Sequence, residues 1–70
     1  MLDTKPNSGV INLFILLKPA DVAQRLNISK SLTYRLLQSG TIPTVRFGHS
    51  VRVRSSDLET FIERNLHSQD

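Results

Sequence analysis

Lys30, Ser31, Tyr34, Arg35 and Gln38 recur at the three- and four-residue spacing that puts side chains on one face of a helix. That face would carry two cations, a phenol, a hydroxyl and an amide, with no acid. Such groups suit contact with phosphates and with base edges in a major groove. A second set follows. Arg46, Arg52 and Arg54 alternate with Val45, Phe47, Val51 and Val53 around Gly48-His49-Ser50. Alternation at period two predicts two half-buried strands. A three-residue turn at Gly48-His49-Ser50 would send the four apolar residues to the core and the three arginines to solvent. Like charges side by side cost stability unless an anion lies against them, which suits phosphate contact. The alternative is an edge strand protected by charge. His49 at the tip would touch a sugar or phosphate, or serve as a plain turn residue.

The elements that must position these residues are legible around them. Asn27 can take the left-handed conformation of a sharp turn. Ser29 is a good N-cap, because its hydroxyl can accept from a free N–H of the first turn. Gly40 stands where a helix that begins at Lys30 should end. Between the caps Thr33, Leu36 and Leu37 share the inward face. Upstream, Pro19 suits a first helical position and Asp21 suits the positive end of the helix dipole, while Val22, Ala23 and Leu26 form an apolar stripe. A helix, a turn of about three residues and a second helix give a helix-turn-helix layout. Any short helical hairpin shares that layout.

The 70-residue chain predicts one small domain with a net charge of +3 and no cysteine. A domain of this size hides about 60% of its unfolded surface and gains roughly 3–5 kcal/mol from its core. Without cysteine it has neither disulfides nor a thiolate metal site, which fits a reducing cytoplasm. Charge is unevenly placed. From Val22 to Ser56 stand Arg25, Lys30, Arg35, Arg46, Arg52 and Arg54 with no acid, and Asp57, Glu59 and Glu63 follow. One face thus suits a polyanion and another face something else. No segment approaches the roughly 20 apolar residues of a membrane span, and no signal peptide is expected.

Residues 1–9 are polar and read as a flexible arm, residues 10–67 as the domain, and 68–70 as a frayed end. Val10 to Leu17 permits either a short strand or an extension of the first helix. Pro19 favours a break, because the residue before a proline disfavours the α region. That run would pack on the core or pair with a second copy. Ile42 falls in a connector. Ser56-Asp57-Leu58-Glu59 reads as a capping box, and Leu58, Phe61, Ile62 and Leu66 as the buried stripe of a third helix. There is no paired-carboxylate site, no nucleophile beside a base and no Gly-rich phosphate loop. No enzyme activity, cofactor or metal is expected.

Taken together, the chain resembles the excisionase-type helix-turn-helix family, with a MerR-like winged-helix fold. The likeness runs from about Leu16 to Leu66. It rests on Leu17-Lys18-Pro19-Ala20-Asp21-Val22-Ala23, on Ile28-Ser29-Lys30-Ser31 with Tyr34-Arg35-Leu36-Leu37, and on Ser39-Gly40 with Ile42-Pro43. Val45-Arg46-Phe47-Gly48, Val51-Arg52-Val53 and Asp57-Leu58-Glu59-Thr60-Phe61-Ile62 complete it. Three places depart from the family pattern: Lys18 stands where Ser or Thr usually caps helix one, Asn27 where the turn often has Gly, and Leu32-Thr33 reverses a polar–apolar order. The resemblance implies an α+β, mostly helical, winged helix-turn-helix. It implies DNA contacts from Lys30, Ser31, Tyr34 and Arg35 on the helix and from Arg46, His49 and Arg52 on the wing. The residues themselves add Ser29, Gln38 and Arg54.

The expected partner is double-stranded DNA, with a recombinase or integrase and neighbouring copies on DNA as further partners and no membrane. The chain then reads as a recombination directionality factor of a phage or mobile element, acting in the bacterial cytoplasm on the nucleoid. One alternative is a transcriptional regulator using the same surface. Another is a protein-interaction module working through residues 10–17 and the acidic third helix.

Overall fold

The computed structural model describes residues 14–67. The expected arm at 1–9, the stretch 10–13 and the end at 68–70 lie outside the described residues. The element order is β1 (Leu16–Leu17), α1 (Pro19–Leu26), α2 (Lys30–Gln38), β2 (Val45–Phe47), β3 (Ser50–Arg54) and α3 (Ser55–Arg64). The strands form one antiparallel sheet in the order β1-β3-β2. This is a winged helix-turn-helix: α1 and α2 are the two helices, and β2–β3 is the wing.

Local signals set the helix boundaries. Pro19 opens α1, and the Lys18 N–H donates to the Asp21 carboxylate at 3.0 Å. Asn27 ends the helix with φ 57, and the N–H groups of Asn27 and Ile28 donate to the Gln24 and Ala23 carbonyls. That pair of bonds is a Schellman closure, and it turns the chain straight into α2. Ser29 Oγ accepts from the Leu32 N–H at 3.1 Å. Past α2, Gly40 adopts φ 81.

Every element but β2 gives the core one or two side chains. Leu17, Val22, Ala23, Leu37, Ile42, Val53 and Leu58 are buried, with Leu26, Leu36, Val51 and Phe61 packed against them. Thr33 is 0% exposed. Its hydroxyl donates to the Ser29 carbonyl at 2.9 Å, so a polar group sits in the core with its bond made. Ile42, expected in a connector, is fully buried because its N–H bonds the Leu36 carbonyl and draws it under α2. Of the two options for the end of the Val10–Leu17 run, the strand is the one formed. Leu16 pairs with Arg54 and Leu17 with Val53.

Three expectations are corrected. First, the hairpin turn has two residues, not three. Phe47 pairs with Ser50, Arg46 with Val51 and Val45 with Arg52. Directly paired residues share a face, so Val45 and Phe47 leave the core side and Phe47 is 56% exposed. Gly48 has φ 62 at the first central position, while His49 does not have positive φ, the signature of a type II′ turn. One residue fewer in the turn flips one strand against the other. Second, α3 begins at Ser55, so Ser56 is not its cap. Ser55 is held by Ile15, just ahead of β1: its N–H donates to the Ile15 carbonyl at 2.8 Å, and its Oγ accepts from the Ile15 N–H at 3.0 Å. The cap position falls to Arg54, which makes no side-chain bond to the helix backbone. Third, Leu58 is buried but Ile62 is 42% and Leu66 74% exposed. The apolar stripe of α3 meets the core only along its first two turns.

Candidate nucleic-acid interface

The helix-turn-helix turn projects α2 outward. Thr33 and Leu37 anchor its inner face, so Lys30, Ser31, Tyr34, Arg35 and Gln38 all stand exposed on the outer face. Ser29 is exposed too. Its oxygen is occupied by the Leu32 N–H, and its hydroxyl proton stays free to donate. Lys30 and Ser31 occupy the first turn of α2, the part of such a helix that reaches base edges.

The wing divides the arginines instead of gathering them. Arg46 shares a sheet face with Val51, the side that borders α2, and lines a notch there with Tyr34, Leu37, Gln38, Thr44 and Val51. Arg52 and Arg54 lie on the opposite face with Val45, Phe47 and Leu16, as the two registers require. The expected three-arginine face does not exist.

Arg52 Nη1 donates to the Val51 carbonyl at 2.9 Å. That bond uses one of the five Arg52 donors, and its charge remains unpaired among the described residues. Arg54 is committed elsewhere. Its Nε and Nη2 bond the Asp57 carboxylate at 2.7 and 3.0 Å, and its guanidinium carbon lies 5.6 Å from the Phe14 ring centre. The hydrogen bond to Asp57, then its charge, raise the Arg54 pKa above its ordinary value. A guanidinium neutralised in this way is a poor phosphate contact. His49 sits exposed at the wing tip.

Sequence reasoning missed Thr44, which lines the notch beside Arg46. Only the fold brings it to Tyr34 and Gln38. Leu32, one of the departures from the family pattern, is accounted for. It lines an apolar groove of about 340 Å³ with Leu26, Ile28, Leu36, Phe61 and Asn65, while Thr33 takes the buried position. Among the described residues no group of three His, Cys, Asp or Glu could hold a metal ion. No helix among them is long and apolar enough to cross a membrane.

Residues 16–66 match the family described as the helix-turn-helix domain. Two Mycobacterium tuberculosis proteins, from strains CDC 1551 / Oshkosh and ATCC 25618 / H37Rv, are each 40% identical over 48 residues. Both are named as candidate DNA-binding proteins. The aligned stretch is 69% of this chain and 62% of either relative, so the chain spans less than two thirds of their length. No solved structure matches the chain.

Proposed function

The chain belongs to the helix-turn-helix domain family, a family of excisionase-type DNA-binding domains, and from that premise we propose that it is a sequence-reading DNA-binding protein. One observation carries this: the outer face of α2 is exposed, basic and free of acid, and the fold sets Arg46 of the wing beside it. A nine-residue helix is about 14 Å long, enough to lie in a major groove about 12 Å wide.

Ser31 at the start of α2 reaches base edges, with Tyr34 and Gln38 extending the contact along the groove, while Lys30 and Arg35 reach the phosphates that flank it. Arg46 and Arg52 bracket the wing and take phosphates, and His49 touches the backbone from the tip. Phosphate contacts fix the register, and the helix reads sequence within it. Binding is the whole activity, with no chemical step.

Within that class we infer an excisionase-like recombination directionality factor of a phage or mobile element. It binds repeated sites near an integrase site, cooperates with copies of itself and assists the recombinase. A small domain covers a short site, so useful affinity calls for several copies side by side. The alternative within the class is a transcriptional regulator of a mobile element. Direct repeats beside an attachment site favour the first, and an operator overlapping a promoter the second.

The test is site selection from random duplexes followed by titration across salt. Lys30, Arg35, Arg46 and Arg52 make four phosphate-reaching cations, so the log–log salt slope should be roughly −3.6. A flat slope, with no site enriched, would refute DNA binding and turn attention to a protein-binding role.

A further inference from the structure

We propose that the notch between α2 and the base of the wing seats one phosphate of the DNA backbone, held jointly by Thr44 and Arg46. This rests on the DNA-binding function above, which gives Arg46 a phosphate, and adds to it the place where that phosphate is seated and a residue, Thr44, that belongs to neither expected contact set.

The notch has a volume of about 140 Å³, with Leu37 and Val51 as its apolar lining. Its polar side chains are Tyr34, Gln38, Thr44 and Arg46. Arg46 reaches it only because the two-residue turn pairs Arg46 with Val51 and so puts both on the α2 side. All four polar side chains can donate hydrogen bonds, and no carboxylate lines the notch. None of the four side chains is hydrogen-bonded to another group among the described residues. Phosphate oxygens accept and never donate, so a rim that offers a donor from each polar side chain, one of them a guanidinium, and no carboxylate suits them. Position agrees. A recognition helix reads bases with its N-terminal residues, and this notch lies toward the other end of α2.

A helix C-terminus repels anions through its unpaired carbonyls. Here the carbonyls of Arg35, Leu36 and Leu37 already accept from the N–H groups of Ser39, Ile42 and Gly40. That leaves the Arg46 charge to dominate the notch. Thr44 is half-buried and β-branched, so its hydroxyl is held with little rotamer freedom to lose on binding.

The experiment is a methylphosphonate scan, replacing one phosphate at a time in the selected duplex and measuring Kd for the intact chain. Wild type should lose roughly tenfold at the seated position, the loss expected for one charge-assisted hydrogen-bonded contact. Thr44→Val and Arg46→Ala should both become insensitive at that same position while keeping the wild-type response elsewhere. Thr44→Ser, which restores the hydroxyl, should recover sensitivity there. Melting curves establish that each variant is folded. If the two variants lose sensitivity at different positions, or keep it everywhere, the shared seat is overturned. If they instead lose preference for a base pair, the notch reads a base and the proposal is likewise overturned. Absence of binding by wild type to any duplex would sink the DNA-binding function itself, a result recognisable before any variant is made.

Discussion

Arg54 offers the sharpest test of how the fold allots charge to the interface. By composition it is a wing arginine equal to Arg46 and Arg52. In the structure it lies against Asp57 at 2.7 and 3.0 Å and beside the Phe14 ring, on the sheet face away from α2. Arg54→Ala should therefore leave the number of phosphate contacts unchanged, whereas Arg35→Ala should remove one. Each contact contributes about −0.9 to the slope of log K against log salt. Between 50 and 200 mM salt, wild type and Arg54→Ala should both lose roughly 150-fold in affinity, and Arg35→Ala roughly 40-fold. Fluorescence anisotropy on the selected duplex resolves that difference. Asp57→Asn supplies the opposite sign. If Arg54 were a phosphate contact restrained by Asp57, freeing it would steepen the slope by about 0.9. The geometry predicts no steepening, and a lower Tm that Arg54→Ala shares, with the double variant no worse than either single one. A slope for Arg54→Ala as shallow as that of Arg35→Ala would refute this account.

Other outcomes follow from the same structure. Ser29→Ala removes the acceptor of the Leu32 N–H, costing about 1 kcal/mol and lowering Tm by roughly 4–8 °C in a domain of this size; an unchanged Tm would deny the cap its role. Leu58→Ala empties a fully buried site at a cost of about 2–5 kcal/mol, against a total of roughly 3–5 kcal/mol, so circular dichroism at 25 °C should find much of the chain unfolded. Gly48→Ala meets no atom within 4 Å but must hold φ 62, so the loss of about 1–2 kcal/mol is purely conformational. It should appear in the melting curve, and a neutral result would contradict the II′ turn.

The two helices were legible in the chain because their signals are local. Pro19, Asn27, Ser29 and Gly40 act on backbone groups within a few residues of themselves, and each does in the structure what its chemistry dictates. The outer face of α2 was legible for the same reason, since Thr33 and Leu37 anchor the inner one. What the chain could not reveal depends on partners distant in sequence. Ser56 reads locally as the cap, but Ser55, bonded to Ile15 forty positions away, is already the first residue of α3, and the cap position falls to Arg54. Whether Gly48-His49 or Gly48-His49-Ser50 makes the turn changes nothing in the alternating pattern, yet it sends Arg46 toward α2 and Arg54 away from it. A helix face is fixed by 3.6-residue periodicity within one segment. A strand face is fixed by register against another, where one residue inverts every side chain. The outer face of α2 therefore follows from spacing within one segment, whereas which wing arginine stands beside it follows from how two distant strands pair.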